Sequence, residues 1–416
     1  MSLQGPIVVV AEQPADGLVQ AFAAAGAFPV IEARWADAPG AVASIKPSAV
    51  VLAEPQAPDA AAAQALEAQI AAMEAYTPVV ARIRDDRDVL PLANALPVAE
   101  DADPARLVAR LTSALRLRAL HATVLGRARA LLSERNIVAE LPPGDPIEDA
   151  TVMVVGRGPM HPTLSVAVGE RMGVVGALSV DLAARCLNIR DLDGIVIGDG
   201  LSPKMVVTLL LVLGEDARYR ELPVAMLGPE ERVDELPNLV HCCDPLRLIE
   251  RLVPMVRQRA FEQRLKRLLK SIESKGMIDP RTGLLCTDAF GRDLSRAIDD
   301  AGERGTGLSI ARFSFEGTLD PRTSMDAARL VGRLVRSMDF ACRQDDGSIV
   351  AVFGGADLKS AHVVARRLAS VIKHTLLGPE RNSHSPETSV TLATLKPGDT
   401  PTSLMARVAP QTVAAE

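Results

Sequence analysis

Apolar positions along the first 260 residues fall into short runs separated by longer stretches with helical periodicity. Pro6-Ile-Val-Val-Val-Ala11, Phe28 to Ala33, Ser48-Ala-Val-Val-Leu-Ala-Glu54, Thr77-Pro-Val-Val-Ala81 and Ala95-Leu-Pro-Val98 are brief and rich in β-branched residues. Such runs predict strands buried on both faces. Gly17 to Ala25, Ala60 to Ala75 and Pro104 to Leu120 carry apolar residues at helical spacing. The pattern then recurs, with runs at Thr151-Val-Met-Val-Val155, Gly194-Ile-Val-Ile197, Pro223-Val-Ala-Met-Leu227 and Asn238-Leu-Val-His241. Asp244-Pro245 opens a helix expected to run through Arg257. The Pro/Gly-rich stretch Leu141-Pro-Pro-Gly-Asp-Pro146 marks a boundary between the copies.

Strands alternating with helices predict doubly wound parallel sheets of the flavodoxin-like kind, five strands in each copy. The chain therefore reads as a duplicated α/β unit, 1–122 and 147–258. A charged helix, 259–278, follows as a linker, with Phe261, Leu265, Leu268 and Ile272 on one seam that could pack on a domain or pair in a coiled coil. Beyond it, 279–416 changes character. A helix is expected at Asp288 to Ala301, a strand at Leu308 to Phe315 and a helix at Met325 to Met338. Phe340-Ala-Cys-Arg-Gln344 and Ser348-Ile-Val-Ala-Val-Phe353 flank Asp345-Asp346-Gly347, a hairpin signal. A helix from Leu358 to Lys373 and a strand from Thr388 to Leu395 complete an α+β domain with a mostly antiparallel sheet.

Length agrees with this division, since 416 residues suggest about three domains. The 46 Lys+Arg against 52 Asp+Glu leave a net charge of −6 and a pI near 5.7, which gives no support to a nucleic-acid-coating or membrane-surface protein. Five cysteines include no Cys-x-x-Cys pair and six histidines no His-Glu-x-x-His, so neither a disulfide framework nor a Cys/His zinc site is expected. Met1 to Pro6 lacks a secretory pattern, and Met205 to Leu213 is too short to span a bilayer. The expectation is a cytoplasmic protein without membrane insertion and without a resident cofactor.

Asp279-Pro-Arg-Thr-Gly-Leu284 is similar to the Asp-x-Leu-Thr-Gly-Leu that opens GGDEF domains, and Phe290 stands where that family places its Phe. Arg336-Ser-Met-Asp339 resembles the family's Arg-x-x-Asp effector site, five residues before the signature hairpin. With the duplicated α/β unit ahead of it, the whole order resembles the two-receiver GGDEF response regulators of the PleD/PopA-like group. That resemblance implies two receiver-like domains and a degenerate GGDEF-like domain.

Diguanylate cyclase chemistry needs carboxylates converging on divalent metal. The family's first-strand Asp-x-Asp aligns with Ser314-Phe315-Glu316. Its Gly-Gly-Asp/Glu-Glu-Phe signature aligns with Asp345-Asp346-Gly347-Ser348-Ile349. One metal-binding position is thus Gly347, and two charges replace the glycines beside the phosphates. No enzyme activity is expected; a relocated metal site of Asp345, Asp346 and Glu316 competes with a solvated turn.

The resemblance implies a retained cyclic di-GMP site at Arg336, Asp339 and Arg367, with Arg366 as the alternative if the register slips by one. An arginine fork can grip guanine O6 and N7 or phosphate oxygens, and a carboxylate can accept from guanine N1–H and N2–H. A solvated basic face through Arg329, Arg333 and Arg336 would account for the same residues without a ligand. In the receiver-like copies, Ala53-Glu54 occupies the acceptor register of the first, whereas the second keeps Asp199 as a candidate phosphoacceptor. Gly156-Arg157 replaces the acidic pair there, and His241 stands where a Lys is expected. The resulting expectation is a non-catalytic cyclic di-GMP effector. It would act through protein partners in signalling or proteolysis, as a homodimer, in cell-cycle control or at a cell pole. A ligand-free scaffold and a weakly active cyclase are the alternatives.

Overall fold

The computed structural model describes residues 4–54, 57–85, 87–100, 102, 104–135, 139–228, 236–315, 321–336, 339–376 and 388–409. Two compact units emerge: 1–126 with 144–265, and 127–143 with 266–416.

In the first unit the opening copy runs β1 (Gln4–Val10), α1 (Asp16–Ala24), β2 (Phe28–Ala33), α2 (Ala38–Ile45), β3 (Ala49–Leu52), α3 (Ala60–Ala71), β4 (Val79–Ile83), β5 (Leu96–Ala99) and α4 (Pro104–Arg135). Its sheet is parallel in the order β2-β1-β3-β4-β5. Strand alternation divides the core between the two faces. Ile7, Val9, Val51 and Val80 pack in one cluster, while Val8, Val10, Val50 and Leu52 join Trp35 in another. The apolar runs are continuous because both faces are covered.

The second copy repeats the plan with β6 (Thr151–Val155), α5 (His161–Gly169), β7 (Gly173–Ala177), α6 (Val180–Ile189), β8 (Gly194–Ile197), α7 (Pro203–Glu215), β9 (Val224–Leu227), β10 (Leu239–Cys242) and α8 (Pro245–Glu273). The order β10-β9-β8-β6-β7 is the same topology, again parallel. Among the described residues no helix lies between the fourth and fifth strands of either copy.

The helices that close the two copies begin alike, Pro104-Ala-Arg-Leu-Val-Ala-Arg-Leu111 and Pro245-Leu-Arg-Leu-Ile-Glu-Arg-Leu252. Their last arginines are buried and work in opposite directions across the joint. Arg110 donates to the Pro97 carbonyl of its own copy and the Pro237 carbonyl of the other, and Arg251 donates to His241 and to Asp85. Burial, with Arg106 nearby, pushes the Arg110 guanidinium down to about 9. Its Nε, Nη1 and Nη2 atoms each donate to a carbonyl, which favours the charged form. One apolar cluster runs through this joint, from Leu107, Leu111 and Ala114 to Leu248, Leu252 and Val256.

Two helices run more than ten residues past their expected ends. α4 continues past Leu120 to Arg135, because the following Ala, Leu and Arg residues favour helix and only Gly126 interrupts them. α8 is one element from Pro245 to Glu273 with Pro254 inside it, where the sequence suggested a helix to Arg257 and a separate linker. Phe261 of its apolar seam packs against Tyr76 and His121, with ring centroids 5.7 and 5.2 Å away.

The second unit contains α9 (Thr287–Arg304), β11 (Leu308–Phe315), α10 (Pro321–Leu334), β12 (Phe340–Arg343), β13 (Ile349–Gly354), α11 (Leu358–Leu376), β14 (Thr388–Thr394) and α12 (Pro401–Ala406). Its sheet is antiparallel throughout, ordered β12-β13-β11-β14. Leu308 and Ile310 of β11, with Val350 and Val352 of β13, pack on Phe290 and Leu294 of α9 and Leu404 of α12. α10 and α11 pack on each other.

Candidate functional site

The Asp279–Leu284 segment folds into a tight turn. Asp279 Oδ2 accepts from the Thr282 hydroxyl at 2.6 Å, its backbone N–H donates to the Leu284 carbonyl at 2.8 Å, and Gly283 takes φ +76°. That left-handed residue explains the glycine. The turn delivers Leu285 to a bridge with Cys342 of β12, which ties the opening motif to the hairpin.

The hairpin forms as its Asp-Gly predicts. Gln344 N–H donates to Ser348 O at 2.8 Å, Gly347 N–H donates to Gln344 O at 2.9 Å, and Gly347 takes φ +81°. This is a three-residue loop closed by a left-handed glycine. Asp346 is committed within it. Its Oδ1 accepts from the Ser348 hydroxyl at 2.6 Å and the Ser348 N–H at 3.0 Å, and its Oδ2 pairs with the Arg312 guanidinium. Burial pushes this carboxyl up, but the Ser348 hydrogen bonds and Arg312 outweigh it, and the net shift is downward. Asp345 is exposed. Ser314 is half-buried on β11 opposite Ser389, and Glu316 lies outside the described residues. Among the described residues no group of three His, Cys, Asp or Glu side chains could hold a metal.

Arg312 and Arg343 organise this end of the sheet and were not picked out from the sequence. Arg312 is 9% exposed on β11, and Arg343 donates to Ser324 Oγ of α10 at 3.1 and 3.3 Å. A charge at the centre of Leu308-Ser-Ile-Ala-Arg-Phe-Ser-Phe315 is the signal that points to a buried partner.

Arg336 and Asp339, after α10, are joined through the backbone. Asp339 N–H donates to the Arg336 carbonyl at 2.9 Å, and Asp339 Oδ1 accepts from Gly354 N–H, at the end of β13, at 3.1 Å. Among the described residues, Oδ2 has no hydrogen-bond partner, and neither has the exposed Arg336 guanidinium. Burial raises the Asp339 carboxyl; the Gly354 N–H and the nearby Arg336 charge oppose that rise without cancelling it. The result is a half-buried carboxylate with one oxygen fixed and one open, beside an uncommitted cationic fork. Such a pair can receive a donor edge and an anion at once. Arg366 and Arg367 are both exposed on α11, and neither bonds to Arg336 or Asp339.

In the second parallel sheet, Asp199 follows β8 at the carboxyl end of the strand. Its carboxylate lies over Gly158 and accepts from Met160 N–H at 3.2 Å, while Arg157 and Gly158 N–H groups donate to its carbonyl. The side chain thus meets backbone amides where a magnesium-binding receiver needs further carboxylates. His241 lies on β10, which β9 separates from β8.

No protein-family model and no curated protein matches the chain. Solved structures resemble part of it. The coiled coil and GGDEF domain of DgcB from Caulobacter crescentus, solved with c-di-GMP, is similar at 21% identity and TM-score 0.29, over 35% of this chain and 83% of that one. A sensory box/GGDEF family protein from Caulobacter crescentus gives 24% identity and TM-score 0.26 over 32% and 92%. The FimX GGDEF domain from Pseudomonas aeruginosa gives 21% and 0.26 over 32% and 88%. Each overlap is confined to about a third of this chain, and the chemistry of the site rests on its own residues.

Proposed function

We propose that this chain is a non-catalytic cyclic di-GMP effector of bacterial signalling, with two receiver-like copies serving a degenerate GGDEF-like domain. The observation that carries the reading is the Arg336–Asp339 pair, in which, among the described residues, a carboxylate oxygen and a whole guanidinium are left for a ligand. A guanine edge supplies the donors Asp339 lacks, and phosphate or guanine O6/N7 supplies the acceptors Arg336 lacks. Arg367, or Arg366 beside it, is the additional contact on α11. The committed state of Asp346 supports a non-catalytic hairpin, because a carboxylate held by Arg312 and Ser348 must give up those partners to bind metal. Asp199 is read as a structural acid at the α5 entrance, and the receiver-like copies as docking platforms. Ligand would shift the arrangement presented to a protein partner in signalling, cell-cycle control or polar recruitment.

Isothermal titration of the full chain with cyclic di-GMP tests this reading. Micromolar or tighter binding is expected, with a loss of at least about tenfold in Arg336→Ala, which corresponds to about 1.4 kcal/mol. Absence of binding in the parent protein would leave the scaffold reading. Product from GTP and magnesium would replace it with the cyclase reading.

A further inference from the structure

The two parallel sheets end in edge strands of opposite character. β2 of the first, Phe28-Pro-Val-Ile-Glu-Ala33, contains a proline without an N–H and a glutamate. Both are devices that keep an edge from pairing. β7 of the second, Gly173-Val-Val-Gly-Ala177, has neither charge nor proline.

The hydrogen bonds of β7 fix which residues face outward. Gly173 N–H donates to Ala150 O and Ala177 O accepts from Gly156 N–H, so residues 173, 175 and 177 turn their backbone groups toward β6. Alternation sends the N–H and C=O of Val174 and Gly176 away from the sheet. Both residues are exposed, and β7 is the last strand in its sheet. On the α5 face, the Val174 side chain lies by Gly169 and Gly176 lies by the His161 ring. Exposed apolar side chains lie on and just after the edge strand, Val174 at 38% and Leu178 at 51%.

We propose that β7 is a pairing edge for a second copy of this chain, the two strands meeting antiparallel about a twofold axis through Val175. That axis sets Val174 opposite Gly176 of the other copy, and Gly176 opposite Val174. Each becomes a hydrogen-bonded pair, and together they satisfy all four outward N–H and C=O groups on each strand. Cross-strand side chains of such a pair share a face about 5.5 Å apart. A valine on one strand therefore meets a glycine on the other, twice, with no clash. This self-complementarity selects a second copy over an arbitrary extended segment. The contact is small beside the ~800 Å² per partner of a standard interface, so the dimer is weak and concentration-dependent.

Sedimentation velocity of the full chain without nucleotide, over an about hundredfold concentration range, tests the proposal independently of ligand binding. A monomer–dimer equilibrium is expected. Gly176→Pro removes one outward donor and leaves the β6 ladder intact, and Val174→Lys places a charge on the edge. Each is expected to weaken dimerisation at least about tenfold with the thermal midpoint unchanged. Val30→Lys on the guarded β2 edge is expected to leave it as it was. Should Gly176→Pro fail to fold, Val174→Lys decides. A monomer at every concentration, or a dimer indifferent to Val174→Lys, overturns the proposal.

Discussion

At the two ends of β12, two aspartates meet opposite fates. Asp346 is held low by Ser348 and Arg312 against the opposing effect of burial, whereas Asp339 is raised by burial against the pull of Gly354 N–H and Arg336. A depressed carboxyl contributes stability above the ordinary Asp range and loses it as pH falls through its folded value. Asp346→Asn should therefore lower stability at pH 7, by no more than about 1 kcal/mol because the Asp346 side chain is 46% exposed. The gap from the parent should close in acid, which a pH series of thermal melts would show. Asp339 follows the other sign: burial makes it take up its proton more readily in the folded chain. Arg336→Ala belongs to this scale too. It removes an exposed side chain with no hydrogen bond among the described residues, so its expected effect falls on ligand affinity and not on folding.

Among the elements, α8 does the most connecting. It opens with the arginine pattern shared with α4 and carries Phe261 to the Tyr76–His121 cluster. It then fastens the segment between the copies. Arg264, with its side chain 4% exposed, pairs with Asp149 at 2.8 Å and donates to the carbonyls of Gly144 and Asp145 at 2.8 and 3.0 Å. Removing one side of a buried pair strands the other groups without partners. Arg264→Ala is expected to destabilise the first unit by about 3 kcal/mol, measured as a shift of its urea midpoint. A surface substitution such as Arg127→Ala, whose partner Glu273 is 57% exposed, should change stability by less than about 1 kcal/mol.

The whole molecule comprises two compact units with separate cores. Chains built this way commonly unfold in more than one step. Two transitions are expected in calorimetry. Saturating cyclic di-GMP should raise only the one belonging to the unit that contains Arg336 and Asp339, by linkage to ligand binding. A uniform shift of both, or of neither, would contradict a ligand site confined to that unit.

The order of elements was legible in the chain because the periods of two and 3.6 are local. Continuous Val/Ile runs announced strands covered on both faces, and Asp345-Asp346-Gly347 announced its turn. Arg336 and Asp339 were paired by the resemblance of their place before the hairpin to a GGDEF Arg-x-x-Asp site, not by spacing alone. Other features had no local signal. β7 was hidden by two glycines that thin its apolar pattern, and α8 was divided at Arg257 because its charged half reads as a linker. Which carboxylate is committed and which is open depends on Arg312 and Gly354, residues distant in sequence that strand pairing brings to Asp346 and Asp339. The crossing of Arg110 and Arg251 depends likewise on the packing of one copy against the other. Local periodicity thus determined most of the elements, and the resemblance of short motifs named the candidate residues. Only the tertiary structure decided their partners, because hydrogen bonding and burial are properties of neighbours in space.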